Sequence, residues 1–143
     1  IDGITIYHID KLLDNGHDPL LDSLYEILGF IESFRKSNKN AKILVHCMVG
    51  VSRSATVVIA EVMKELKISL VRAYLYVRVR RLNIIIQPTL LFMYELLKFE
   101  EKLQNISDVP IKGIQEGCKR SIDWVSLCSS IDELNEYYLN PTN

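Results

Sequence analysis

A thiol and a guanidinium stand close together in His46-Cys47-Met48-Val49-Gly50-Val51-Ser52-Arg53-Ser54, with a glycine between them. A phosphate monoester is already dianionic, so an anionic nucleophile approaching it is repelled unless the site supplies positive potential first. The backbone N–H groups of Met48, Val49, Gly50, Val51, Ser52 and Arg53 could ring three phosphoryl oxygens. Arg53 could close the ring with its planar fork, which matches phosphate oxygens bidentately. The same donors stabilise a thiolate, so Cys47 reads as a nucleophile lying in a phosphate trap. Gly50 permits a positive φ and a close backbone approach. Ser54 can offer its hydroxyl to the Cys47 sulfur and ease its departure in a second step.

The apolar run Ile43-Leu44-Val45 precedes this loop, and the helix-like stretch Ala55 to Lys67 follows it. The order is strand, loop, helix, and a loop that opens a helix points free N–H groups inward. An isolated cysteine at a strand end is more often a small buried hydrophobe, and an isolated arginine a surface charge. The joint pattern decides against that reading, and no Gly-Lys-Ser/Thr is present to suggest a nucleotide loop. A leaving alkoxide or phenolate also needs a proton. Upstream of the loop Asp10, Asp14, Asp18 and Asp22 are all candidates. Asp18 precedes Pro19 and reads as a helix cap, while Asp22 falls inside that helix. Asp14 lies in a loop with a turn dipeptide behind it. His46, adjacent to the nucleophile on a strand, points the opposite way and is expected to support the loop from behind. His8 and His17 show no ligand spacing.

HCMVGVSRS resembles the active-site loop of the cysteine-dependent protein phosphatases, and RSATVVIAEVMK resembles their dual-specificity branch. The likeness continues through SLVRAYLYVRVRRLNIIIQPTLLFMYELLKFEEKL and covers about Gly3 to Leu103. VRVRRLNIIIQP is similar to a large fungal multidomain member implicated in S-phase control. The resemblance implies an α/β fold of the phosphotyrosine phosphatase type. It implies hydrolysis of phosphotyrosine and phosphoserine/threonine through a phosphocysteine, without metal or organic cofactor. It also implies that Asp14 is the acid and then the base. Two departures stand out. Only two strands are legible, near residues 4–9 and 43–45, where the family has more, so its N-terminal strands are expected to be missing from the chain. Thr89 follows Pro88 where the family often has asparagine.

Residues 1–103 are expected to form the catalytic domain, and 104–143 a C-terminal helical extension, with Ser130-Ile131-Asp132-Glu133 as a capping box. Composition fits a globular chain: 143 residues, 48% hydrophobic, 24% charged, net charge -1. No apolar run approaches a membrane span, and neither membrane nor nucleic acid is an expected partner; a phosphorylated protein is. The chain starts at Ile1 without a signal-peptide pattern, and is expected to be part of a longer protein. Cys47, Cys118 and Cys128 are widely spaced and odd in number, which suggests a reducing compartment, cytoplasmic and/or nuclear. Residues 41–103 carry 10 basic and 5 acidic side chains, so positive charge gathers around the loop. Arg80 and Arg81 are candidates to line the site and favour acidic or doubly phosphorylated peptides. Met48, Val49 and Val51 are apolar, which argues against inositol phospholipid or RNA 5′-triphosphate substrates. A phosphoprotein-binding module without turnover is the other alternative. A bare strand edge near Ile4 would invite dimerisation with a second copy.

Apolar spacing predicts helices through Leu20, Leu24, Ile27, Leu28, Ile31 and Phe34, and through Ala55, Ile59, Val62, Met63 and Leu66. Two more follow, one capped by Ser69 and carrying Leu70, Ala73, Tyr74 and Val77, and one opened by Pro88 and carrying Leu90, Met93, Tyr94 and Leu97.

Overall fold

The computed structural model describes residues 3–10, 12–81 and 85–106. Four helices appear there: α1 (Leu21–Ser37), α2 (Arg53–Leu66), α3 (Leu70–Arg80) and α4 (Leu90–Ile106). Helix α2 packs against each of the others. Its Ile59, Ala60 and Met63 are fully buried. They meet Leu24 and Ile31 of α1, Leu70 and Ala73 of α3, and Phe92 and Leu96 of α4 in one core. Glu32 of α1 also reaches Lys64 of α2 at 2.6 Å, and Arg35 pairs with Glu61. No helix among the described residues is long and apolar enough to cross a membrane.

Three helices bury the stripes that their periodicity predicts, with Leu66 as an exposed exception at the end of α2. In α4 the stripe is turned. Leu90 and Tyr94 are exposed, while Phe92, Met93, Leu96, Leu97 and Phe99 are buried. The helix is set by Thr89, whose Oγ1 accepts the Phe92 N–H at 3.3 Å and whose carbonyl accepts the Met93 N–H at 2.9 Å. The phase thus follows a threonine cap rather than the proline before it.

Two expected caps are replaced. Asp18 does not cap α1; its Oδ2 accepts the Leu13 N–H at 3.2 Å and closes the preceding turn. Instead the buried Glu95 carboxylate of α4 accepts the Leu20 N–H at 2.9 and 3.1 Å and the Leu21 N–H at 3.2 Å. Ser69 sits at the N-cap of α3, but its hydroxyl makes no cap bond. Glu100, also from α4, accepts the Leu70 N–H at 2.7 Å. A carboxylate on these N–H groups satisfies orphan donors and faces the positive end of the helix dipole. A cap need not be close in sequence; here burial of α4 delivers two of them.

The expected strands are not formed. Residues 4–9 and 41–47 lack regular secondary structure, and no β-strand occurs among the described residues. A strand is defined by the neighbour that shares its hydrogen-bond ladder, and a pair alone is marginal. Ile6 (80% exposed) and Leu44 (84%) accordingly face solvent. The sheet edge expected to pair two copies is therefore absent from the described residues. The pleat survives in residues 41–47, however: Ala41, Ile43, Val45 and Cys47 are half-buried, while Lys42, Leu44 and His46 are exposed. That period of two sends Cys47 inward with Ile43 and Val45. Residues 104–106 of the expected 104–143 extension are the end of α4, and the rest, with Cys118 and Cys128, lies outside the described residues.

Replacing Glu95 with alanine strands buried N–H groups at the start of α1, each costing about 1–3 kcal/mol. Urea unfolding of Glu95→Ala is expected to show a loss of that order, with a smaller loss for an exposed acidic control such as Asp22→Ala.

Candidate functional site

The inward-facing segment 41–47 delivers Cys47 to the first turn of α2. Gly50 donates its N–H to the Cys47 sulfur at 3.2 Å, and Ser54 Oγ lies 3.4 Å from it. Burial pushes this thiol up, but the Ser54 hydroxyl and the N–H groups of Ser54, Gly50 and Val49 outweigh it and bring the thiol down to about 7. The thiolate is thus held by hydrogen bonds at a helix start rather than by a neighbouring cation.

Gly50 has φ +81°, and an Nη of Arg81 lies 3.2 Å from where a β-carbon on it would be. The backbone angle strains any side chain there, and a β-carbon would also press on the Arg81 guanidinium. Arg81 thereby comes against the loop. Arg80, expected beside it, does not: it donates to the Tyr76 carbonyl at 3.1 Å and stacks 3.4 Å over the Tyr76 ring. Met48 (85% exposed) and Val49 (64%) form the open rim, and Val51 is half-buried.

Arg53 opens α2 and donates through Nη1 to the Leu12 carbonyl at 2.9 Å. Its Nε is buried and has no hydrogen-bond partner among the described residues. Ser52 donates to Asp14 Oδ1 at 3.0 Å. Of the four upstream aspartates, Asp14 is the one bonded to the loop. Asp10 pairs with His8 at 3.3 Å on the surface, and Asp22 is exposed on α1. The turn carrying Asp14 is closed by Asn15, whose Oδ1 accepts the N–H groups of His17 and Asp18 at 2.9 Å.

His46 is exposed, as its place on the pleat requires, but its ring makes no hydrogen bond among the described residues. The expected support of the loop comes instead from residues 85–89. Tyr74 of α3 donates to the Ile86 carbonyl at 3.0 Å, the Gln87 N–H donates to the Val51 carbonyl at 2.9 Å, and the Thr89 N–H donates to Ser52 Oγ at 3.3 Å. Thr89 thus holds the loop by its backbone. From the sequence Pro88 reads only as the opening of a helix, and the departure from the family's asparagine at Thr89 is the one sign at this turn. Among the described residues no group of three or more His, Cys, Asp or Glu could hold a metal ion.

Comparison with known proteins places these features. The family model described as the dual specificity phosphatase catalytic domain matches residues 2–102. The chain is 46% identical over 136 residues to the dual specificity protein phosphatase PPS1 of Saccharomyces cerevisiae, covering 95% of this chain and 15% of that protein. It is 39% identical over 92 residues to human dual specificity protein phosphatase 16, covering 64% of this chain and 13% of the relative. The chain therefore spans only a small part of the length of these relatives. Among solved structures it resembles human DUSP28, with a TM-score of 0.61 and 30% identity, over 67% of this chain and 64% of that one. A mouse putative dual specificity phosphatase complexed with zinc tungstate aligns at a TM-score of 0.58 and 32% identity, over 65% of this chain and 56% of that one.

A thiol at about 7 is roughly half ionised at neutral pH. Alkylation of Cys47 by iodoacetamide is expected to rise with pH through a midpoint near 7. In Ser54→Ala one of the bonds favouring the thiolate is gone, so the midpoint should move up, towards the free-cysteine value of about 8.5.

Proposed function

The chain belongs to the dual-specificity phosphatase family and has a phosphotyrosine phosphatase-like fold, and on that premise we propose that it hydrolyses phosphate monoesters on protein tyrosine and serine/threonine. The observation that carries this reading is the Cys47 sulfur, brought to about 7 by N–H and hydroxyl donors at the mouth of α2. We propose that the expected strand at 43–45, which has no ladder partner among the described residues, corresponds to a sheet position of the α/β fold, a reading supported by the alternating burial of residues 41–47.

In the proposed first step the thiolate attacks phosphorus. The bond from phosphorus to the leaving oxygen breaks, its electron pair stays on that oxygen, and the Asp14 carboxyl supplies the proton. A positioned acid is worth about 10²–10⁴-fold in such a step. In the second step water attacks the phosphocysteine, the Asp14 carboxylate takes its proton, and the thiolate leaves as the Ser54 hydroxyl donates to it. The N–H groups of residues 48–53 hold the phosphoryl oxygens, and Arg53 stabilises the equatorial charge of the transition state. Its buried Nε, without a partner among the described residues, supports that role, since such a donor is costly until an acceptor arrives. Arg81, against Gly50, adds positive potential that steers a phosphorylated protein to the loop. We place the activity in the cytoplasm and/or nucleus, where a reactive thiol stays reduced.

Turnover of phenyl phosphate is expected to vanish in Cys47→Ser and to fall by about 10²–10⁴-fold in Asp14→Ala, both measured as phosphate release. Equal turnover in wild type and Cys47→Ser would overturn the proposal.

A further inference from the structure

The geometry points to Ser52 as the residue that positions the acid: its hydroxyl, held from behind by the turn into α4, sets where the Asp14 carboxylate stands beside the phosphate loop. This inference rests on the phosphatase reading and assigns within it a residue that acts through another. Ser52 occupies the N-cap of α2 and is 6% exposed. A serine there ordinarily turns its oxygen onto an N–H in the first turn of its own helix. Ser52 makes no such bond. Its Oγ instead donates to Asp14 Oδ1 at 3.0 Å and accepts the Thr89 N–H at 3.3 Å. Its carbonyl accepts both the N–H and the Oγ1–H of Thr56, each at 2.9 Å. One small residue therefore joins the acid's turn, the end of the phosphate loop, the first turn of α2 and the entry to α4.

The diverted hydroxyl has two effects. It leaves the N–H groups of the first turn of α2 to other acceptors, and the Ser54 N–H is one of those that hold the Cys47 thiolate. It also gives a fixed partner to Asp14, which is otherwise exposed. The backbone beside Asp14 is already tethered, by Arg53 to the Leu12 carbonyl and by the Leu13 N–H to Asp18. The freedom that remains is the rotation of the Asp14 side chain, and the Ser52 hydroxyl restricts it. The orientation of that hydroxyl is in turn fixed, because the Thr89 N–H occupies one of its lone pairs and leaves its proton for the carboxylate. Ser52 neither gains nor loses a proton in the reaction; it selects the carboxylate geometry from which proton transfer occurs.

The test compares two esters. Phenyl phosphate expels a phenolate that needs a proton, whereas 2,4-dinitrophenyl phosphate expels one that leaves without it. In Ser52→Ala, kcat/KM on phenyl phosphate relative to the dinitrophenyl ester, which reports only the transfer to Cys47, is expected to fall about tenfold, a fraction of what a general acid supplies. Ser52→Thr, which keeps the hydroxyl, is expected to restore the ratio. Asp14→Ala and the Asp14→Ala/Ser52→Ala pair should show the same ratio, since the second change has no acid left to misplace. Equal losses of kcat/KM on both esters in Ser52→Ala, tracking a lowered melting temperature, would overturn the positioning role, as would a further fall of the ratio in the double variant. A Cys47→Ser protein that still turns over either ester would overturn the phosphatase reading itself. If Cys47→Ser is inactive and Ser52→Ala keeps the wild-type ester ratio, only the role of Ser52 falls.

Discussion

The Cys47 sulfur depends on hydrogen bonds from a backbone that has just begun a helix. Partial burial disfavours the charged sulfur, and no ammonium or guanidinium among the described residues is bonded to it, so its charge rests on the Gly50 N–H, the Ser54 N–H and hydroxyl, and the Val49 N–H. These donors point at the sulfur only while the loop keeps the positive φ of Gly50 and while α2 starts at Arg53. The surrounding structure meets those conditions. The core fixes α2, the 85–89 segment holds the back of the loop through Val51 and Ser52, and the tethered turn at Leu12–Asp18 closes its front.

Several features that position the site are polar bonds between parts of the chain remote in sequence. The N–H groups opening α1 and α3 are satisfied by Glu95 and Glu100, both on α4. Each is buried, and each faces the positive end of another helix. Helix α4 therefore does more than contribute Phe92 and Leu96 to the core. It fixes where two other helices begin, and through Thr89 it holds Ser52.

The nucleophile loop was legible because its chemistry is local: a thiol, a glycine, a guanidinium and a hydroxyl within nine residues, followed by a helical stripe. The stripes of α1, α2 and α3 were legible because burial repeats with the helical period. The caps were not, because Asp18 and Ser69 have the right type and place, while the carboxylates that displace them come from α4. The turned stripe of α4 has a similar origin, since Thr89 sets its phase and the proline had suggested another. His46 illustrates a partial reading: the pleat sends it outward as expected, yet its ring supports nothing among the described residues. The segments around Ile6 and Leu44 read as strands from composition, but a ladder depends on a neighbour, which a run of residues does not reveal. Arg80 and Arg81 differ for a comparable reason, as the Tyr76 ring one turn back captures the first and leaves the second for the loop.

Glu95 has a consequence for how the chain is made. Its partner Leu20 lies 75 positions earlier. On a ribosome the first helix emerges long before the side chain that ends it, and until then its leading amides have only water to bond. The cap of α1 is therefore completed only by a residue made after the other three helices have begun. The nucleophile loop shares this dependence, because the Thr89 N–H that holds Ser52 lies 37 positions later in the chain.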